Sequence, residues 1–143
     1  MLTLINTNRM MPPIGPIGLE YVAEAAQDQG LDVEVLDLCL CDDPDAALTA
    51  YFSDHTPTLI GLSIMTGPSI LFAKQVVDYC REKNPDVRFL FGGTHPTMLP
   101  EETLRHPLAD YILTGPGETS LRKILAARRD GSPLRGIPGL GYK

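Results

Sequence analysis
Apolar residues fall along this chain in two alternating rhythms, compact strand-like runs and stretches in which they recur at helical spacing. Leu2–Ile5 is the first compact run; it stops at Asn6, and a proline-rich loop, Thr7–Pro16, follows. Gly18–Gln29 predicts a helix with Leu19, Val22, Ala23 and Ala26 on one face and Gly30 as its stop. Val33–Leu38 predicts a second strand, whose acidic residues suit an exposed edge. Asp42 or Asp43, with Pro44 behind it, marks the start of a helix carrying Ala47, Leu48, Tyr51 and Phe52. Thr58–Met65 is almost wholly apolar, the mark of a central parallel strand covered on both faces.

Pro68–Lys83 predicts a long helix, ended by Asn84-Pro85. Val87–Phe91 predicts a fourth strand that stops at Gly92-Gly93 and gives way to a polar loop holding His95. A short helix over Pro100–His106, a strand over Tyr111–Leu113 and a helix over Gly117–Arg129 come next. Gly131–Pro138 is a Pro/Gly-rich link, and Leu140–Tyr142 begins a further strand. Five strands alternating with helical patterns imply βαβ units with right-handed crossovers. The expected fold class is therefore α/β, a flavodoxin-like (Rossmann-like) doubly wound five-stranded parallel sheet. Its expected order is 2-1-3-4-5, with helices on both faces and a ligand crevice between the first and third strands.

Composition narrows the function without naming it. The 143 residues are 43% apolar and 21% charged, as in an ordinary globular domain. Twelve basic and eighteen acidic residues leave a net charge of −6, which argues against nucleic acid as a partner. No apolar run approaches the ~20 residues of a membrane span, and no signal-peptide pattern opens the chain, so a cytoplasmic protein is expected. The three cysteines contain no CxxC pair; Cys39 and Cys41 lack nearby histidines, and Cys80 follows Ala73, Val76 and Val77 at core spacing.

Four loops converge on the crevice: Thr7–Pro16, Ser63–Pro68, Gly92–Thr97 and Thr114–Glu118. None matches the common ligands of this architecture. The first loop lacks the G-x-G-x-x-G of a dinucleotide site and the hydroxyl-rich phosphate loop of a flavin site. Asn6 and Met65-Thr66 replace the carboxylates that a magnesium-dependent phospho-acceptor needs. His95 has no nucleophile partner, and Glu101, Glu102 and Glu118 lack metal-ligand spacing, so no catalytic residue is assigned. The remaining crevice is small and apolar, built from Ser63, Gly92, Gly93 and Gly115 beside Met10, Met11, Met65 and prolines. It suits a large, mostly uncharged ligand whose tail slides between sheet and helices, against glycines that leave the backbone bare.

Several segments carry a resemblance. They are Gly18–Ala23 behind the proline-rich loop, Ile60–Met65, Phe91–Glu101, Asp110–Glu118 and Ile137–Tyr142. In that order and spacing the chain resembles the N-terminal cobalamin-binding domain of B12-dependent radical SAM enzymes. The resemblance implies cobalamin as the cofactor, its nucleotide tail passing Ser63, Gly92 and Gly93. Asn8, Arg9, Met10, Met11, Pro12 and Gly15 of the first loop, with Met65, Thr66, His95 and Thr97, then border the corrin, while Gly115, Gly117 and Glu118 complete the set. Many such domains carry D-x-H-x-x-G after the first strand. Aligned on Gly15 that motif meets Met10 and Pro12, and aligned on Gly18 it meets Pro13 and Gly15. The resemblance thus implies cobalamin held with its own base displaced and no protein histidine on cobalt.

Enzymes of this family continue into a radical SAM domain holding a 4Fe-4S cluster and S-adenosylmethionine, and no CxxxCxxC triplet occurs here. Residues 1–133 are therefore expected to be the cobalamin-binding domain and 134–143 a linker and strand leading to such a domain, in cis or in trans. The resemblance implies a module that is not catalytic alone and that serves methyl transfer or related radical chemistry. Two alternatives stand beside it. One is a flavodoxin-like interaction or dimerisation domain without cofactor; the other is a small α/β enzyme using Gly115–Thr119 and His95. A leucine at Gly93 is expected to obstruct the tail channel and leave the fold intact.

Overall fold
A computed structural model describes all residues, 1–143. Its strands are β1 (Leu2–Asn6), β2 (Val33–Asp37), β3 (Leu59–Ser63), β4 (Arg88–Gly92), β5 (Tyr111–Leu113) and β6 (Leu140–Tyr142). They form one sheet in the order β2-β1-β3-β4-β5-β6, parallel except for β6. The helices are α1 (Ile17–Gln27), α2 (Pro44–Asp54), α3 (Pro68–Lys83), α4 (Thr94–Met98), α5 (Pro100–Arg105) and α6 (Glu118–Asp130). The expected parallel order holds, with β2 at the edge. No helix is long and apolar enough to cross a membrane.

Two departures from the expected elements have clear causes. The run at Leu140–Tyr142 adds a sixth strand to the same sheet, antiparallel to β5. The link after α6 has already climbed back along that helix, where Ser120 Oγ donates to the Pro138 carbonyl at 2.7 Å and Thr114 N donates to Gly139 O at 2.9 Å. Only a descending strand can follow. The polar loop after β4 is instead a one-turn helix, α4. Pro96 lies in its first turn, where no intrahelical N–H is missed, and Thr97 Oγ1 donates to Gly93 O at 2.8 Å.

Strand alternation sends side chains into two cores. Ile5, Ile60, Leu62, Phe89, Phe91 and Ile112 pack with α2 and α3 residues, including Leu48, Val77 and Cys80. Leu2, Leu4, Leu59, Leu90 and Leu113 pack with α1 and α6 through Leu19, Ala23, Ala26, Leu121, Ile124 and Leu125. Helix α2 starts as expected at Asp43, whose side chain accepts from Ala46 N at 3.0 Å with Pro44 in the first turn. The short β5 is helped by Asp110, whose carboxylate accepts from Phe89 N at 2.8 Å and from Arg88 and Arg81 at 3.1 and 3.4 Å.

Cys80 lies fully buried on α3, and burial pushes its thiol from 9.0 up to about 12. An unfolded thiol loses its proton between those values while the folded one keeps it, so the unfolded state binds fewer protons there and stability falls as pH rises through that window. Urea unfolding followed at pH 7 and pH 10 is expected to show a lower midpoint at pH 10. The Cys80→Ala chain should show a smaller drop; an equal drop would mean that this thiol contributes nothing.

Candidate functional site
On the sheet face that carries α1 and α6, the row Leu4–Gly61–Leu90 runs across β1, β3 and β4, and the next row toward the carboxyl ends is Asn6–Ser63–Gly92. Leucine side chains fill the flanks of the first row, and Gly61 has none of its own, so the tip of Leu4 leans over it, 2.6 Å from where a Cβ would stand. Serine and glycine keep the next row small. A cavity of about 230 Å³ occupies the space, closed by α1 through Gly18, Leu19 and Val22 and by Pro116, Gly117 and Leu121 at the start of α6. Its walls are leucine side chains and bare backbone, with Ser63 and Glu118 as polar members.

Gly93 is where two backbones of the frame come into contact. Its φ is +96°, and a Cβ there would stand 3.0 Å from both the backbone N and O of Ile64 and 3.3 Å from Ser63 Oγ. Backbone hydrogen bonds clamp the same crossing: Ile64 N donates to Gly92 O at 2.9 Å and His95 N to Ile64 O at 3.0 Å. At Gly92 a Cβ would meet only Leu113 O, at 3.9 Å. The two glycines therefore differ. Gly92 keeps space open, and Gly93 lets two backbones touch.

Of the residues singled out in the sequence, Ser63, Gly92, Gly93, Gly115, Gly117 and Glu118 line this cavity. Asn8 and Thr97 brace its mouth. Asn8 Nδ2 donates to Ser63 Oγ at 3.3 Å, Asn8 Oδ1 accepts from Met65 N at 3.0 Å, and Thr97 Oγ1 accepts from Gly115 N at 3.0 Å. Thr66 and His95 stand outside the lining and face each other, Thr66 Oγ1 lying 3.2 Å from His95 Nδ1. Arg9, Met10, Met11, Pro12 and Gly15 do not line the cavity. Arg9 turns toward the Cys41 carbonyl at 3.3 Å and over the Phe72 ring, and Met11 projects outward, 92% exposed.

The lining that sequence reading missed includes Gly18, Leu19 and Val22 from α1 and Gly61 from β3, besides leucines of the strands and of α6. Gly61 did carry a signal, because glycine inside an otherwise apolar strand marks a place where something approaches the backbone closely. No His, Cys, Asp or Glu side chains gather in a group of three or more that could hold a metal ion. His55 pairs with Glu34 at 3.2 Å and stacks on Tyr51, and the Cys39 and Cys41 thiols face the backbone carbonyls of Asn6 and Asp37. Burial, with the Asp37 carboxylate close by, pushes the Cys39 thiol up to about 12, so it keeps its proton at neutral pH.

Comparison with known proteins places this geometry among relatives. The family model described as the B12 binding domain matches residues 7–125. An uncharacterized methyltransferase of Pyrococcus horikoshii is 30% identical over 129 residues, spanning 90% of this chain and 28% of that protein. An anaerobic magnesium-protoporphyrin IX monomethyl ester cyclase of Synechocystis is 28% identical over 131 residues, covering 90% of this chain and 26% of the cyclase. The solved structure of the radical S-adenosylmethionine methyltransferase TsrM from Kitasatospora setae, with cobalamin and a 4Fe-4S cluster bound, superposes with a TM-score of 0.88. It is 29% identical, and the match covers 99% of this chain and 26% of that one. The chain thus spans about a quarter of the length of these relatives.

The contrast between the two glycines is measurable. Gly93→Ala is expected to lower stability by about 2–4 kcal/mol, from left-handed strain plus the contact with Ile64, and Gly92→Ala to change it by less than about 1 kcal/mol. Urea midpoints of the two chains check this, and equal midpoints would contradict the assigned roles. The leucine once expected to leave the fold intact at Gly93 belongs at Gly92 instead.

Proposed function
The chain belongs to the B12 binding domain family, and on that premise we propose that its cavity takes the nucleotide tail of cobalamin while the corrin lies over the carboxyl ends of the strands. One observation carries the proposal. The α1/α6 face lacks side chains at Gly61 and Gly92, in adjacent rows of neighbouring strands, and so leaves a slot walled by leucines and bare backbone. A flat apolar base with a polar linker suits such walls. Ser63 and Glu118 supply its polar contacts, and Gly115 and Gly117 let the linker approach the backbone at the cavity's edge.

With its tail in that slot the cofactor's own base is withdrawn from cobalt, and this protein's residues do not replace it. The first loop, Thr7–Pro16, holds no histidine, and His95 stands on another element, the turn into α4. Water, or apolar side chains of the first loop such as Met10 and Met11, would cover the lower face of the bound cofactor. His95, Thr66, Met65, Thr97 and the Asn8–Gly15 segment border the corrin and its amides. Bound cobalamin supplies a cobalt centre able to carry an alkyl group; the protein binds, orients and shields it. Residues 1–133 make the binding unit, and 134–143 close the sheet beside it.

The upper corrin face is presented to a radical SAM domain, in cis or in trans, and that domain brings the 4Fe-4S cluster and S-adenosylmethionine. Exposed apolar residues gather near the same rim, among them Met11, Ile14, Met65 and Met98, and such a patch suits a partner surface. The chain itself is assigned no catalytic residue. Methyl transfer, or radical chemistry of the kind carried out by the cyclase relative, is the reaction it serves.

Mixing the purified chain with hydroxocobalamin and removing free ligand should leave close to one equivalent bound. No retention at micromolar concentration would overturn the reading. Gly92→Leu is expected to fill the slot and lose at least about tenfold in affinity with an unchanged circular dichroism spectrum, the worth of ~1.4 kcal/mol. After reduction to the cobalt(II) form, the electron paramagnetic resonance spectrum should lack nitrogen splitting. His95→Ala should leave it unaltered, and a spectrum that changes on this substitution would make His95 a cobalt ligand.

A further inference from the structure
A chain of polar side chains at the cavity mouth has a hydrogen-bond direction fixed from both ends. At one end Asp37, on the edge strand β2, offers Oδ1 to Asn6 Nδ2 at 3.1 Å and to Cys39 N at 3.0 Å. A carboxylate only accepts, so the Asn6 amide must turn its NH₂ toward Asp37 and its oxygen away. That oxygen accepts from Asn8 N at 3.2 Å and from Asn8 Nδ2 at 3.3 Å. At the other end the backbone N–H of Met65 only donates, and it donates to Asn8 Oδ1 at 3.0 Å. The Asn8 amide is thereby pinned twice, and its NH₂ is the group that meets Ser63 Oγ at 3.3 Å.

Ser63 consequently spends its oxygen as an acceptor. Its O–H proton finds no acceptor elsewhere in the chain, although Ser63 lines the cavity. Of these residues only Ser63 touches the space; Asn8 braces it, and Asn6 and Asp37 lie behind, with Asn6 97% buried. Resting on the cofactor reading above, we infer that Asp37, Asn6 and Asn8 are positioning residues that commit the Ser63 hydroxyl to donate into the cavity, so that the site selects a tail carrying a hydrogen-bond acceptor there. A ring nitrogen of the terminal base and a phosphodiester oxygen both present that chemistry.

Substitutions that reverse the polarity test the relay. Asn8→Asp keeps the acceptor for Met65 N but faces Ser63 with a second acceptor, which draws the hydroxyl proton away from the cavity. The full chain with Asn8→Asp, and separately with Ser63→Ala, is expected to bind hydroxocobalamin about tenfold more weakly, as for one lost buried hydrogen bond. In the Ser63→Ala background, Asn8→Asp should cost less than about twofold more, because coupled residues are not additive. Equal losses in both backgrounds would overturn the relay.

Asp37→Ala, away from the cavity, should weaken hydroxocobalamin about threefold. Asp37→Asn, which can still turn an acceptor toward Asn6, should recover most of that loss; no recovery would overturn the part given to Asp37. Cobinamide, which lacks the tail, should bind the Ser63→Ala and Asp37 variants as it binds the unaltered chain, and a parallel loss would make the effect structural and overturn the inference. A cobamide with a phenolic tail keeps the phosphodiester but has no ring nitrogen. A Ser63→Ala loss with it assigns the acceptor to the phosphodiester, and a loss confined to cobalamin assigns it to the base. If the unaltered chain retains no hydroxocobalamin, the cofactor reading and the relay both fall; if it does while the cycle is additive, only the relay falls.

Discussion
Everything at the working end of this sheet depends on two backbones crossing at contact distance, Gly93 over Ile64. The two hydrogen bonds beside that crossing, Ile64 N to Gly92 O and His95 N to Ile64 O, tie the end of β3 to the turn after β4. They fix Ser63 opposite Gly92 and start α4 at Thr94. A side chain at position 93 would force the strands apart and lift the row that forms the cavity wall. The conformation is one that glycine adopts at little cost and other residues only under strain. The neighbouring glycine has the opposite task, since it keeps a slot open in place of drawing walls together.

Much of the fold was legible because strand burial writes itself plainly. The apolar run around Ile60, Leu62 and Ile64 could only be a strand covered on both faces, and the acidic β2 could only be an edge. Pro68, Asn84-Pro85 and Asp43-Pro44 marked helix ends through backbone chemistry that tertiary contacts do not override. The cavity was partly legible for the same reason. Ser63 and the glycine pair close strands that point at a common rim, so parallel topology alone brings them together.

What escaped the sequence depended on contacts between distant residues. The helix at Thr94–Met98 is too short to show a period, and it exists because Thr97 can reach Gly93 O while Pro96 sits where no donor is needed. The wall from α1 required knowing that α1 and α6 share a face of the sheet, which no local pattern states. Gly61 looked like a gap in an apolar run; only its register between Leu4 and Leu90 turns it into the floor of a slot. The first-loop methionines drew notice as apolar residues near the crevice, yet the loop carries them outward, and Arg9 leaves it for Phe72 and the turn after β2.

The descending course of β6 has a consequence of a practical kind. Tyr142 pairs with Tyr111, which is level with Leu90 in the middle of β4, and β6 runs downward from there, so the chain's last residues leave the sheet heading for the lower rim, beyond which Met1 lies just before β1. The cavity opens at the upper rim, about 17 Å from Met1 along the five residues of β1. A tether fixed to either end, whether an affinity tag, a fluorophore or a sensor surface, is led away from the cavity and leaves the mouth facing outward.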